Sequence, residues 1–128
     1  MIFDESLDFD AILNDALVRS KEAKKRILIE FGGDWCIWSH RMNRVVESKK
    51  FKSFIDDNFI FLRCTINSSG ECSYPSDREY PDIRSIPHFI LLDENANVIG
   101  SQDTPSFEFL WFYKKWELYN FLKKWAKL

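Results

Sequence analysis

Residues 26–31 (Arg-Ile-Leu-Ile-Glu-Phe) form a short, nearly continuous apolar run, and residues 58–66 (Asn-Phe-Ile-Phe-Leu-Arg-Cys-Thr-Ile) read as a second strong strand. A strand with one wet face alternates apolar and polar residues, whereas an unbroken run is covered on both faces, as in a parallel sheet. Parallel neighbours need a crossover, and the segment between the runs has helical spacing. That helix starts near Cys36 and continues through Met42, Val45 and Val46, with a bend before Phe51, Phe54 and Ile55. A third run at 88–93 (His-Phe-Ile-Leu-Leu-Asp) leads through a turn at 94–97 (Glu-Asn-Ala-Asn) into 98–100 (Val-Ile-Gly), the pattern of an antiparallel hairpin. Helices bracket the strands. One spans 7–25, with Leu7, Ile12, Leu13, Ala16, Leu17 and Ser20 near one face; the other spans 114–127, with Leu118, Phe121, Leu122 and Trp125 on one stripe. Residues 67–76 are turn-rich, and a short helical turn is expected at 77–80. The order predicts an α/β fold with a mixed central sheet flanked by helices, as a single domain over 1–128.

Charge and composition narrow the function. Eighteen Lys and Arg against 20 Asp and Glu give a formal charge of −2, so nothing here favours a nucleic-acid partner, whose binding rests on phosphate neutralisation. No stretch has the ~18–20 uncharged apolar residues of a membrane span, and the acidic opening Met1-Ile2-Phe3-Asp4-Glu5 does not resemble a secretory signal. The expected location is cytoplasmic as written, or periplasmic if a leader has been removed. Three cysteines, Cys36, Cys64 and Cys72, are too few for a disulfide framework, and their spacing with the two histidines does not match a metal site. Cysteine therefore matters here as a reactive thiol.

The segment that carries chemistry is 27–42 (Ile-Leu-Ile-Glu-Phe-Gly-Gly-Asp-Trp-Cys-Ile-Trp-Ser-His-Arg-Met). A strand runs into a glycine turn, then Trp35, then Cys36 where a helix starts. The unpaired N–H groups and partial positive charge of a helix N-terminus stabilise thiolate over thiol. A cysteine so placed is expected to be acidic and nucleophilic near neutral pH. Some fifty residues later, Arg84-Ser-Ile-Pro-His-Phe89 puts a proline at the start of a strand.

Taken together, these residues resemble the thioredoxin superfamily: a strand, Trp-Cys-x-x-Cys on a helix, then Ile-Pro with a cis bond opening the next strand. Trp35, Cys36, Ile86 and Pro87 match residue by residue, and the likeness to a bacterial branch with Trp-Cys-x-Trp-Cys-His runs through Asp34 to Met42. The resemblance implies a thioredoxin-like fold, thiol–disulfide exchange through Cys36, and a groove in which Trp35, Ile86 and Pro87 meet an extended peptide. It also implies that Glu30 is the buried acid that assists proton transfer. Protein or peptide disulfides would be the partners, with glutathione as a co-substrate and no bound cofactor or metal.

One position departs from the pattern. Where the family has its second cysteine, this chain has Ser39. Dithiol exchange needs a second thiol to resolve the mixed disulfide, and a serine hydroxyl cannot form that bond. What survives is monothiol chemistry of an isomerase-like or reductase-like kind. The rival reading is a redox-silent module that uses the same groove to hold a peptide; a glutathione transferase or peroxidase has less support in 128 residues. Bland readings stand beside each residue: Ser39 as a filler near the helix start, His40 as a solvent-facing residue rather than a tuner of Cys36, Glu30 as a half-buried strand acid, Cys64 as an inert core thiol, and Trp38 and His88 as packing residues.

Two further expectations concern the rest of the chain. The loop after residue 66 emerges on the edge where Cys36 sits, and its reach of about 20 Å makes Cys72 a candidate remote resolving thiol. A link to Cys64, or a plain surface thiol, is the commoner fate. Residues 105–113 (Pro-Ser-Phe-Glu-Phe-Leu-Trp-Phe-Tyr) read either as an aromatic insertion or as part of one continuous helix capped by Ser106. As an insertion, the stretch from Phe107 to Tyr113 would offer a contact surface for a partner or a second copy of an otherwise monomeric protein.

Overall fold

The computed structural model describes residues 1–75, 77–78 and 82–126. The first helix, α1 (Phe9–Ala23), opens on Asp8, whose carboxylate accepts the Ala11 N–H at 3.3 Å. It closes at Lys24 in the left-handed conformation (φ 56°), where the hydroxyl of buried Ser20 donates to the Lys25 carbonyl. Leu7, expected on its inner face, precedes the helix and is exposed, because the Asp8 cap sets the start. Phe9, Leu13, Ala16 and Ser20 form the buried stripe.

Strand β1 (Arg26–Gly32) follows, then α2 (Ile37–Val46), α3 (Lys49–Asn58) and β2 (Phe59–Thr65). The break between α2 and α3 falls at Ser48, whose hydroxyl donates to the Val45 carbonyl. β1 and β2 pair in parallel, from Arg26 opposite Phe59 to Gly32 opposite Thr65. β3 (His88–Leu92) joins the other side of β1 antiparallel, and β4 (Val98–Asp103) pairs antiparallel with β3, giving the order β2-β1-β3-β4. β4 runs three residues beyond the expected 98–100, because His88 to Leu91 continue the ladder as far as Asp103. β1 and β3 are the inner strands, and Ile27, Leu28, Ile29, Phe89, Ile90, Leu91 and Leu92 have no exposed surface. Burying such side chains contributes about 1.5–3 kcal/mol each before entropy is counted.

The sheet separates two apolar layers. One packs Leu28, Phe89 and Leu91 against Met42, Val45 and Val46 of α2, Phe51 and Ile55 of α3, and the closing helix. The other packs Ile27, Ile29, Ile60 and Leu62 against α1 and Tyr74. That is the expected thioredoxin-like α/β fold. The expected helical turn at 77–80 extends to Glu79 and Tyr80, which lie outside the described residues.

Residues 105–113 do not form one helix capped by Ser106. Pro105–Phe107 make a single 3-10 turn, then β5 (Glu108–Phe109) and β6 (Phe112–Tyr113) form a small hairpin before α4 (Lys115–Trp125). The Leu110 backbone takes the left-handed conformation (φ 56°) that turns the hairpin, which a helix cannot accommodate. Phe107 and Tyr113 are buried, while Phe109, Leu110, Trp111 and Phe112 are exposed. The 3-10 turn and hairpin are thus an insertion between β4 and α4 with an apolar tip.

Candidate active site

The site is assembled where β1 gives way to α2. Gly32 and Gly33 are required there by close approach. A Cβ on Gly32 would strike the Phe3 ring and stand 2.8 Å from the Ser39 hydroxyl. One on Gly33 would meet the Trp35 indole and stand 2.7 Å from the Ile66 carbonyl. The crowding has a cause: the Trp35 N–H folds back over Gly33 and donates to that Ile66 carbonyl at 2.8 Å. Asp34 fastens the turn from its other side, its carboxylate accepting the backbone N–H groups of Ile2 and Phe3, each at 3.0 Å.

Cys36 is the N-cap residue of α2. Its backbone is extended (φ −103°, ψ 121°), and its carbonyl accepts the N–H groups of Ser39 at 3.1 Å and His40 at 3.3 Å. The sulfur caps nothing within the helix. It is partly exposed and lies 4.0 Å from the Ile86 carbonyl, a contact rather than a strong hydrogen bond. The Ile86–Pro87 peptide bond is cis. The Pro87 carbonyl accepts a hydrogen bond at 2.6 Å from the hydroxyl of Thr104, which has no exposed surface.

Ser39 is fully buried, and its hydroxyl oxygen accepts the Gly33 N–H at 3.2 Å. It holds the turn that presents Cys36. The His40 ring donates its Nε2 proton to the Asp34 carbonyl at 2.6 Å, which fixes the tautomer because a carbonyl only accepts. His40 thus reaches the cysteine through the loop that carries it.

Glu30 is fully buried rather than half-buried. It stands opposite Arg63 in the parallel register, with its carboxylate 3.5 Å from Arg63 Nε. Burial pushes the Glu30 pKa up to about 7, and the Arg63 charge only partly offsets it. Arg63 is shared: its Nη2 donates to Asn43 Oδ1 at 2.8 Å and to Glu47 Oε1 at 3.1 Å. Tyr113 donates to the Trp38 carbonyl at 3.2 Å with its ring edge-on to that indole, and burial raises its pKa. The hairpin is therefore anchored to α2 close beside Cys36.

Next to the turn lies a cavity of about 600 Å³, lined among others by Trp35, Ile66, Cys72, Ile83, Arg84 and Ile86. The Trp35 ring, 54% exposed, forms its lip. All three cysteines are free thiols. Cys72 interacts with Cys64, and the candidate Cys36–Cys72 pair is not joined.

Sequence reasoning named Trp35, Cys36, Ser39, His40, Ile86 and Pro87, which the fold gathers around one turn. It missed Phe3, Asp34, Arg63 and Thr104. Arg63 carried a readable signal, a lone cation within an apolar strand whose in-register neighbour is the acid Glu30. Thr104 and Asp34 carried none, since each acts on backbone distant in sequence.

Comparison with known proteins agrees with this geometry. The family described as Thioredoxin-like matches residues 8–94. No curated protein matches the chain. Among solved structures, a disulphide isomerase from Xylella fastidiosa Temecula1 superposes with a TM-score of 0.63 at 17% identity, covering 77% of this chain and 76% of that one. A thioredoxin from Thermus thermophilus gives 0.58 at 14% identity over 87% and 81%. A DsbH oxidoreductase gives 0.52 at 20% identity over 70% and 67%. At these identities the likeness is one of fold.

Proposed function

The chain belongs to the thioredoxin-like family, and on that premise we propose that it is a monothiol thiol–disulfide exchange protein acting through Cys36. The observation that supports this best is the pairing of Cys36 with Ile86. A partly exposed sulfur at the start of α2 faces the carbonyl of the residue before Pro87 at 4.0 Å. That sulfur stands at the N-terminal end of α2, free to attack from its exposed side. An extended peptide lying along Ile86 would bring its own disulfide to the thiolate, with Trp35 on the cavity lip as a further contact.

The chemistry balances without a second thiol in the motif. The Cys36 thiolate attacks one sulfur of the substrate disulfide. A Cys36–substrate disulfide forms, the substrate bond breaks, and the other substrate sulfur leaves as a thiolate that takes up a proton. In isomerisation that same thiolate, or another on the substrate, attacks the mixed disulfide and returns Cys36. In net reduction an external thiol such as glutathione does so and is oxidised in turn. Ser39 takes no part in these bonds and keeps the turn in place. Glu30, holding a proton near neutral pH, is read as the acid beneath the site.

Oxidised glutathione tests the proposal. Incubation at pH 7, acid quench and peptide mapping should give an adduct on Cys36 that persists until a thiol is added, and the Cys36→Ser variant should fail to speed recovery of a scrambled disulfide substrate. Alkylation of Cys36 no faster than that of an unstructured cysteine peptide would favour the redox-silent peptide-binding module instead.

A further inference from the structure

Beyond the turn that carries Cys36, the fold brings together a second pair of thiols. Residue 72 returns antiparallel beside the end of β2, through a bridge between Ile66 and Cys72 and a hydrogen bond from the Ser73 N–H to the Thr65 carbonyl at 3.1 Å. Side chains alternate in extended chains, so Cys64 and Ile66 share one face. With Ile66 opposite Cys72, Cys64 stands on the same face as Cys72, one diagonal step away. Both belong to the same apolar layer, Cys64 fully buried and Cys72 packed against it. The surroundings hold each sulfur: Cys64 Sγ lies 3.3 Å from the Ser73 hydroxyl, and the Tyr74 N–H points at Cys72 Sγ at 3.5 Å.

The two thiols are unequal. Interaction with Cys72, together with burial, drives the Cys64 pKa upward. The same contact, in which Cys64 donates toward Cys72, lowers the Cys72 pKa to about 7. Access differs in the same sense. Cys72 lines the cavity shared with Trp35 and Ile86, and it also lines a smaller one with Glu5, Thr65, Asn67 and Glu71. An accessible, ionisable thiol with a protected neighbour has the arrangement of an attacking and a resolving cysteine.

We propose that Cys64 and Cys72 form a second dithiol site, which closes to an internal disulfide when a small-molecule disulfide of the glutathione class enters the cavity. The Cys72 thiolate attacks the disulfide, forms a mixed disulfide and releases one thiolate. Cys64 then gives up its proton and attacks the Cys72 sulfur, so the mixed bond breaks, the second thiolate leaves and the Cys64–Cys72 bond forms. The protein dithiol loses two electrons and two protons, and the incoming disulfide becomes two thiols. The site would supply, from elsewhere on the domain, the electron pair that the Cys36 motif cannot because of Ser39. It stands apart from the proposed role of Cys36 and does not require it.

The test uses the Cys36→Ser variant, so the outcome is independent of the first site. The reduced protein is equilibrated with increasing ratios of oxidised to reduced glutathione, quenched in acid, alkylated under denaturing conditions and mapped by mass spectrometry. The expected result is a linked Cys64–Cys72 peptide that rises with the ratio and disappears on reduction. In the Cys36→Ser/Cys64→Ala variant, checked for a cooperative thermal transition, a glutathione adduct on Cys72 should accumulate at least tenfold over its level in Cys36→Ser. If Cys64 and Cys72 both remain alkylatable at every ratio, or if the Cys72 adduct is as abundant with Cys64 present as without it, the proposal is overturned.

Discussion

The hydroxyl of Ser39 accepts the backbone N–H of Gly33, so the residue that replaces the second thiol of the motif stabilises the turn in front of the first. Both groups are buried, and water cannot replace the bond. Ser39→Ala should therefore cost about 1–3 kcal/mol, the penalty of an unsatisfied buried donor. Denaturant melts would show it, and Cys36 alkylation should change with it because the turn loosens. A variant as stable as the parent would mean that the turn is held by other contacts.

Ser39→Cys tests the same position in the other direction. A thiol there would follow Cys36 within one helical turn, and the scaffold around it is otherwise that of the family. The variant is expected to form a disulfide between Cys36 and the introduced thiol, and to reduce insulin with a regenerating thiol where the parent does so poorly. A folded variant with that disulfide and no gain in turnover would place the missing function elsewhere in the site.

Glu30 sets a pH dependence with a definite sign. Its pKa is near 4.5 in the unfolded chain and about 7 in the fold, so between these values the native state binds more protons. Stability must then fall as pH rises through that window, by an amount of order 3 kcal/mol if the full shift is expressed, at about 1.4 kcal/mol per unit. Below pH 4.5 this loss vanishes, and above about 7 it is complete. Glu30→Gln should flatten the stability curve between about pH 5 and pH 7.5 relative to the parent. Parallel curves for the two proteins would show that Glu30 does not titrate in that range.

Gly33→Ala should be among the more damaging single changes near the site. The added Cβ collides with the Trp35 indole and the Ile66 backbone, which cannot both yield without breaking the bond between them. The expected outcome is a loss of more than about 2 kcal/mol together with altered Trp35 exposure, read as increased acrylamide quenching. A neutral effect would mean that the Trp35 lid is mobile.

The hairpin makes a separate prediction. Phe109, Trp111 and Phe112 are 54%, 67% and 45% exposed, whereas burial would have removed the expectation of a contact surface. Sedimentation of the parent over a wide concentration range should show association that Trp111→Ser with Phe112→Ser abolishes. Because these rings are outside the core, the double variant should retain the parent's melting temperature within a few degrees.

How far the sequence could be read depended on the range of the interaction. The largely apolar runs announced β1 and β2, and the parallel pairing followed from the helices between them. The Trp-Cys and Ile-Pro pairs named the site because they are short and ordered. The hairpin at residues 108–113 was ambiguous: aromatic rings suit a buried helix face and an exposed turn alike, and what decided between them was the backbone of Leu110. The deep burial of Glu30 was missed because a single acid in a strand does not reveal how fully its neighbours cover it. A neighbourhood of Cys72 with Cys64 was one of the fates expected of Cys72, but only the return of the loop beside β2, which no local pattern specifies, chose between them.

Phe3 fills the space left by the missing side chain of Gly32, and its backbone N–H is tied to Asp34. The floor beneath the reactive turn is therefore a wedge from a segment with few other attachments. Segments of that kind detach at a free-energy cost well below that of global unfolding. The turn that presents Cys36 should then loosen through a local opening that exposes little surface, with a rate almost insensitive to low urea. Amide exchange at Phe3 and modification at Cys36 would rise and fall together, two readings of a single latch.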